Sequence, residues 1–425
     1  MSTPPPHHRL LGELRAVLES AAFSASLTLT TIATVFLSHA IRSVIGWPGL
    51  IACLSVLVVL AGSVLVVRRD QFEWQGILPV SLLAFVGWSA LSLIWSQYQW
   101  ATLSGIVYQL AVGLLAVFVA LARDLIQIVR AFGDVLRTLL AASLVVEVLS
   151  GIIFDVPIRF LGVTGSLANG GPIQGLMGSR NMLGVVTLIA VITFFVEAST
   201  RSVRRNTAIA SLILAGIVFV FTSSPVASLV GVVVSLAAIA LILVRRAPKE
   251  NRPAWQFGFG GLAVVGGIAA WFLQTPLINA FNARGELLVR LDLWRQTWTL
   301  TSANFTEGWG FVGSWRPDLL PFIALRSANG RLPTSALNAY LDVWFQLGVV
   351  GFALFVAFLG LALVRAWIVA SNRRGVTHTW PALVLVALAA ISMAESSALV
   401  EYCWFLLVIC AVKAAQELSW RRGLR

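Results

Sequence analysis

Three residue types in this chain could do chemistry, and their spacing sets them apart. The first is arginine, which supplies 28 of the 30 basic residues. Its guanidinium keeps its charge and offers a planar fork of donors that fits phosphate or carboxylate oxygens. Eight arginines gather in two segments: Arg159 and Arg180, then Arg284, Arg290, Arg295, Arg316, Arg326 and Arg331. The second type is an acid able to accept a proton. Glu307, Asp342, Glu395 and Glu401 are the candidates, with Asp155 a more remote one. Asp342 follows Asn338 by one helical turn, which sets both on one face once a helix has begun. The third type is histidine, of which there are four: His7, His8, His39 and His378. The cysteines Cys53, Cys403 and Cys410 lie in apolar stretches without a CxxC pattern, so they read as small packing residues. No Asp-x-Asp and no His/Cys cluster accompanies the arginines, so neither a metal nor a cofactor is expected.

The elements that must position these groups are membrane spans. Hydrophobic residues make up 58% of the 425, charged residues 11%, and the mean hydropathy is +0.89. A soluble domain carries about 25% charged residues. A soluble enzyme, a disordered chain and a disulfide-framed secreted domain are therefore excluded. Apolar runs between charged breaks give twelve candidate spans: 22–41, 46–67, 76–96, 102–122, 138–154, 181–198, 207–222, 226–244, 254–274, 341–364, 380–397 and 399–416. The expected fold is an all-α, polytopic membrane protein. A basic leader (1–21) precedes spans one to nine (22–274), a long loop (275–340), spans ten to twelve (341–416) and a basic tail (417–425).

The basic residues orient it. With both termini in the cytoplasm, 21 of the 30 bases lie inside and nine outside, whereas the inverted topology breaks the positive-inside rule at nearly every loop. A net charge of +12 can signal nucleic acid, but no soluble domain is present to carry a groove reader. The nine exceptions are Arg42, expected to snorkel at a span end, and the eight clustered arginines. His7, His8 and His378 then fall inside, leaving only His39 near the outer side.

Six of the eight arginines lie in the one long loop, 275–340. A long loop in a compact protein is usually functional or disordered, and Trp294, Trp298, Trp309 and Trp315 argue against disorder. Residues 286–301 read as an amphipathic helix, with Leu287, Leu291, Trp294 and Trp298 on one face. A tryptophan-bearing face suits a helix lying at the membrane–water interface, which would hold Arg290 at headgroup level. Gly308, Gly310 and Gly313 then imply tight turns or close backbone approach.

Four local patterns, in order, resemble the O-antigen ligase and polymerase superfamily of bacterial glycan-assembly proteins. They are Gly178-Ser179-Arg180-Asn181-Met182-Leu183-Gly184; Thr222-Ser223-Ser224-Pro225-Val226-Ala227-Ser228-Leu229; Arg290-Leu291-Asp292-Leu293-Trp294 with Gly308-Trp309-Gly310; and Asn338 with Gly348 and Gly351. The resemblance spans about residues 85–410. It implies a metal-independent glycosyltransferase in the bacterial cytoplasmic (inner) membrane. Such an enzyme transfers a saccharide from a polyprenyl-diphosphate carrier, such as undecaprenyl diphosphate, to a glycan or lipid acceptor at the outer face. Its partners would be membrane lipid, that donor, the acceptor and polysaccharide assembly proteins.

On this resemblance Arg180 and Arg290 would clamp the diphosphate, while Asp342, Glu307, Glu395 and Glu401 all stay open as the proton acceptor. Asn181, Arg284, Trp294, Trp309 and Asn338 would bind substrate. The sequence departs from the superfamily's pattern twice. Its serine–arginine pair reads Ser224-Pro225, and the position of its histidine reads Leu337. Ligase and polymerase activity, a lipid-linked oligosaccharide transporter using Glu147 as a deep acid, and a non-catalytic assembly partner are the alternatives at this point.

Overall fold

A computed structural model describes residues 6–71, 78–272, 284–326 and 332–417. Within the described residues the chain is all-helical, apart from one isolated bridge between Ile158 and Val163. A backbone in hydrocarbon has no water to bond, so a continuous helix is the way to satisfy each of its polar groups. Among the described residues fourteen α-helices follow one another: α1 (Pro6–Glu19), α2 (Ala21–Phe36), α3 (Ser38–Val67), α4 (Val80–Leu91), α5 (Gln99–Ala122), α6 (Leu125–Val148) and α7 (Arg180–Thr200). Then come α8 (Arg205–Thr222), α9 (Pro225–Arg246), α10 (Arg252–Phe272), α11 (Arg284–Thr301), α12 (Ala339–Asn372), α13 (Thr379–Ile391) and α14 (Glu401–Glu417). Among the described residues seven helices are long and apolar enough to cross a membrane: α3, α5, α6 with its π-turn extension to Ile153, α7, α8, α9 and α12. Three shorter apolar stretches add to them: α2, α4 and 376–391. The protein is thus a multi-pass membrane protein.

Boundaries differ from the sequence expectation where charge misleads. The break between the first two apolar runs falls at Gly46 (φ 72°), inside α3, and not at Arg42. Arg42 stays helical because its guanidinium bonds Glu401 at 2.8 Å and lies 4.7 Å from the Trp47 ring centroid, so it does more than snorkel. α6 begins at Leu125, well before the expected 138. Its charged turns are accommodated by partners on neighbouring α7 and the turn after it: Arg137 meets Glu197 at 2.7 Å, and Arg130 donates to the Ser202 carbonyl at 2.6 Å. α13 ends at Ile391, short of the expected 397, and residues 392–400 form turns.

The middle of the bundle is α14, whose residues Tyr402 to Val412 are buried without interruption. It packs against α5, α12, α13 and α2, and Trp404 donates across to the Gln109 carbonyl of α5 at 3.1 Å. α7 is surrounded likewise by α6, α8, α9 and α13. Hydroxyls on these buried faces bond back to the carbonyl four residues earlier, as Thr187 and Thr193 do at 2.7 Å, which lets polar residues sit in the core. Arg245 and Arg252 reach from α9 and α10 to the last carbonyls of α12, with Arg245 on Ala370 O at 2.6 Å and Arg252 on Ser371 O at 3.1 Å. These guanidiniums satisfy helix-terminal acceptors that would otherwise lack donors.

Candidate functional site

Four separate stretches of chain converge on one polar cluster. The first is the start of α7. Ser179 caps it, accepting from Met182 N at 3.2 Å, and Arg180 and Asn181 occupy its first turn. The second is the start of α9, where Ser224 accepts from Ala227 N at 3.1 Å and Pro225 takes the first helical position. Proline suits that position because its missing N–H would lack an intrahelical partner anyway. The third is α11, with Glu286 and Arg290 one turn apart. The fourth is the turn after α13, which carries Ala394 and Glu395.

Their side chains interlock. Arg180 donates to Glu286 Oε1 through Nε at 3.1 Å and also through Nη2. Arg290 donates from Nη1 to Glu286 Oε2 at 3.0 Å, from Nη2 to Glu395 Oε1 at 3.1 Å and from Nε to the Ala394 carbonyl at 3.3 Å. Asn181 Nδ2 reaches Glu395 Oε1 at 3.2 Å and Glu286 Oε2 at 3.4 Å. Ser224 donates to Asn181 Oδ1 at 2.7 Å, which joins the starts of α7 and α9. Two positive helix ends and two guanidiniums thus surround a pair of carboxylates, an electropositive frame suited to an anion.

The two carboxylates respond differently to this setting. Burial opposes ionisation of Glu286, but the Arg180 and Arg290 guanidiniums outweigh it and hold the carboxyl below its usual range. At Glu395 burial wins over Arg290 and Asn181, and the carboxyl is pushed above its usual range. Arg290 itself is 7% exposed, so its charge is compensated by these acids and little by water.

A second assembly braces the first. Gly348 (φ 67°) interrupts α12 and frees the carbonyls of the preceding turn. The Gly308-Trp309-Gly310 loop fills that gap: Trp309 N donates to Phe345 O at 3.1 Å and Gly310 N to Gln346 O at 2.8 Å. Trp88 Nε1 takes Leu347 O at 3.0 Å, and Val349 N returns a bond to Phe305 O at 3.0 Å. A side chain at Gly348 would collide with the Thr306 carbonyl, and one at Gly308 with the Gln346 backbone. The two glycine patterns noted in the sequence are therefore two halves of one joint.

The other expected site residues fall at, or outside, this bracing layer. Asp342 is fully buried and accepts from Trp315 Nε1 at 2.7 Å, Gln346 Nε2 at 2.7 Å and Ala336 N at 3.1 Å. Its geometry is that of a structural acid holding the loop to α12, because donors already engage both oxygens. Asn338 caps α12, its side chain accepting from Tyr340 N at 3.0 Å and Leu341 N at 3.2 Å. Trp294 and Trp309 give their indole N–H groups to Ala336 O at 2.9 Å and Leu300 O at 3.1 Å. Glu307 is exposed, and its backbone carbonyl accepts from Trp95 at 3.0 Å. Arg284 begins α11, but its side chain lies outside the described residues, as does Arg331. Arg159 is exposed, and Arg316 pairs with Ser104 at 2.9 Å and stacks on Trp100. Of the eight clustered arginines, the described contacts bring Arg180 and Arg290 together.

α11 is a helix as its periodicity required, but a different face is buried. Arg290, Leu293, Thr297 and Thr301 face the protein, whereas Leu291 and Trp298 are 47% and 48% exposed. The buried threonines hide their hydroxyls on the carbonyls of Leu293 and Thr297, at 2.8 Å each, so a face that looks polar in sequence can pack. Glu286 was not among the candidates. Its one readable signal is the Glu-x-x-x-Arg spacing to Arg290, which pairs acid and base on a helix.

Residues 209–356 match the family model for O-antigen ligase, about a third of the chain. Over those residues the chain is similar to the O-antigen ligase family. A comparison with curated proteins gives no match. The matched segment holds Ser224, Glu286, Arg290, the Gly-Trp-Gly loop and the Gly348 break. Arg180, Asn181 and Glu395 lie outside it, so their joining to the matched segment is a result of the tertiary structure alone.

Proposed function

We propose that the chain transfers a saccharide from a polyprenyl diphosphate to a hydroxyl of a glycan or lipid acceptor, at the outer face of the bacterial cytoplasmic membrane. The reading includes twelve spans with both termini inside, since every expected apolar run coincides wholly or partly with a helix and the bases favour that orientation. One observation carries it. Arg180 and Arg290, 110 positions apart in sequence, grip the two oxygens of a single carboxylate, Glu286, from different sides. A carboxylate held in this way marks where a phosphate oxygen would sit, because both present oxygens to guanidinium forks.

The diphosphate is the leaving group. Charge builds on it as its bond to the anomeric carbon breaks, and preorganised cations stabilise that charge without having to rearrange. Glu286 would hold the two arginines apart and ready until donor arrives. The exposed Leu291 and Trp298 edge of α11 fits a helix lying at headgroup level, beside the carrier's lipid tail. Glu147, the deep acid on which a transporter reading would rest, accepts instead from Gln174 N at 2.6 Å and Gly175 N at 2.7 Å and ties down the loop before α7.

The test is transfer in vitro, with purified protein, a polyprenyl-diphosphate-linked saccharide and candidate acceptors. Arg180→Ala and Arg290→Ala should each cut transfer by at least about 10²-fold, the scale of losing one charge-stabilising donor, with protein still present in the membrane. Wild-type rates in both variants would remove the clamp from the reading.

A further inference from the structure

We infer that Glu395 is the base that takes the proton from the acceptor hydroxyl. The inference rests on the reading of Arg180 and Arg290 as the donor clamp, and it adds the half of the reaction that the clamp does not supply.

Position comes first. Arg290 divides its terminal nitrogens between the two carboxylates, Nη1 on Glu286 and Nη2 on Glu395. Glu395 therefore stands one guanidinium width from the place where the diphosphate would replace Glu286. An acceptor hydroxyl attacking the carbon next to that diphosphate has to enter this neighbourhood. Both contacts to Glu395 fall on Oε1, from Arg290 and Asn181, while Oε2 accepts no hydrogen bond among the described residues. One oxygen is anchored and the other is available.

The turn that carries it is fixed. Ala339 N donates to Ser392 O at 2.8 Å and Asn338 N to Ser396 Oγ at 3.3 Å, so the start of α12 grips the turn on both sides of Glu395. The neighbouring residue in that grip, Leu337, has no group that could take a proton. The rival acids are committed elsewhere: Asp342 to three donors, Glu286 to both arginines, and Glu401 to Arg42 at 2.8 Å, while Glu307 is exposed.

In the step, a lone pair of the acceptor oxygen forms the new bond to the anomeric carbon. The bond from that carbon to the diphosphate oxygen breaks, and its electron pair leaves with the diphosphate. The hydroxyl proton passes to Glu395 Oε2. Taking up the proton neutralises Glu395 as negative charge appears on the leaving group, so Arg290 shifts its attraction toward the diphosphate when it matters most. The raised affinity of Glu395 for protons suits that role. The groups facing it are Arg290 and Glu286 of α11, Asn181 of α7, and Tyr402 and Cys403 of α14.

The experiment uses the full chain in lipid nanodiscs with a lipid-linked saccharide donor and a hydroxyl acceptor. Glu395→Gln keeps an oxygen for Arg290 and Asn181 but cannot accept the proton. It should lower kcat by about 10²–10⁴-fold, the usual worth of a general base, with the donor KM little changed and the acidic limb of the pH profile lost. Glu395→Asp should keep that limb with a smaller loss of kcat. In Glu395→Ala, azide needs no deprotonation and should restore donor cleavage, a rescue that a merely positioning role would not show. A wild-type kcat in Glu395→Gln, an unchanged acidic limb, or a failure of azide to restore cleavage overturns the inference. Failure of the clamp is separate: it appears as wild-type kinetics in Arg180→Ala and Arg290→Ala, whatever Glu395 does.

Discussion

Arg290 and Arg180 meet through Glu286, and the pH response of that contact has a definite sign. Because Glu286 is held below its ordinary value, its contribution is fully present above the unfolded glutamate pKa of about 4.3 and fades as pH falls through the lower folded value. The loop carrying α11 should therefore lose protease protection on acidification below that range. Glu286→Gln should be poorly protected already at neutral pH and show little further loss. Glu395 runs the other way: its raised pKa favours the fold at low pH, and that contribution declines as pH rises through the folded value. Loss of protection in the wild type only on going alkaline would contradict the assignment to Glu286. Glu286 and Glu395 illustrate how little composition says here, since both are glutamates near the same arginine and burial and pairing separate them.

At the scale of elements, the joint between the Gly-Trp-Gly loop and α12 decides where α11 can lie. Trp294 on α11 donates to Ala336 O, and Ala336 N donates to Asp342, so the joint reaches Arg290 through one turn of helix. Gly348→Ala would place a side chain against the Thr306 carbonyl in a left-handed backbone conformation. A strained residue of this kind costs about 1–3 kcal/mol, and the clash adds to it, so the melting temperature of purified protein should fall clearly. Gly360→Ala, in the same helix with open space around it, should leave melting unchanged or raise it slightly. Equal behaviour of the two variants would show that the break at Gly348 is not needed. Much of this level was legible: the glycine spacings, the α11 periodicity and most helices follow from apolar runs and turn residues. The buried face of α11 was not, because threonines that satisfy their own hydroxyls look solvent-facing in a pattern search.

For the whole molecule, sidedness decides which face of the membrane the arginine cluster serves. The native cysteines give little background, Cys403 and Cys410 being buried and Cys53 half-buried. A cysteine at the exposed Ser302 should react with a membrane-impermeant maleimide in spheroplasts, and one at the exposed Asn206 only after permeabilisation. The reverse pattern would invert the topology and move the arginine cluster to the cytoplasmic face. Arg245 and Arg252 also show that bases expected to serve as anchoring charge can cap the end of α12, so orientation and packing use the same residues.

By itself the sequence determined that the chain is helical and membrane-embedded, and which arginines stand apart from the others. Hydropathy and the cost of an unpaired backbone group in lipid leave little freedom at that level. Arg180 and Arg290 were readable as candidates, yet neither their meeting point nor the acids that share it could be read. Those contacts join residues 105 to 214 positions apart, from the start of α7, from α11 and from the turn after α13. Periodicity records which face of a helix is apolar and nothing about which distant turn lies against it. Only the packing of α14 within the bundle, and the loop seated at Gly348, decided that Glu286 and Glu395 face the same guanidinium.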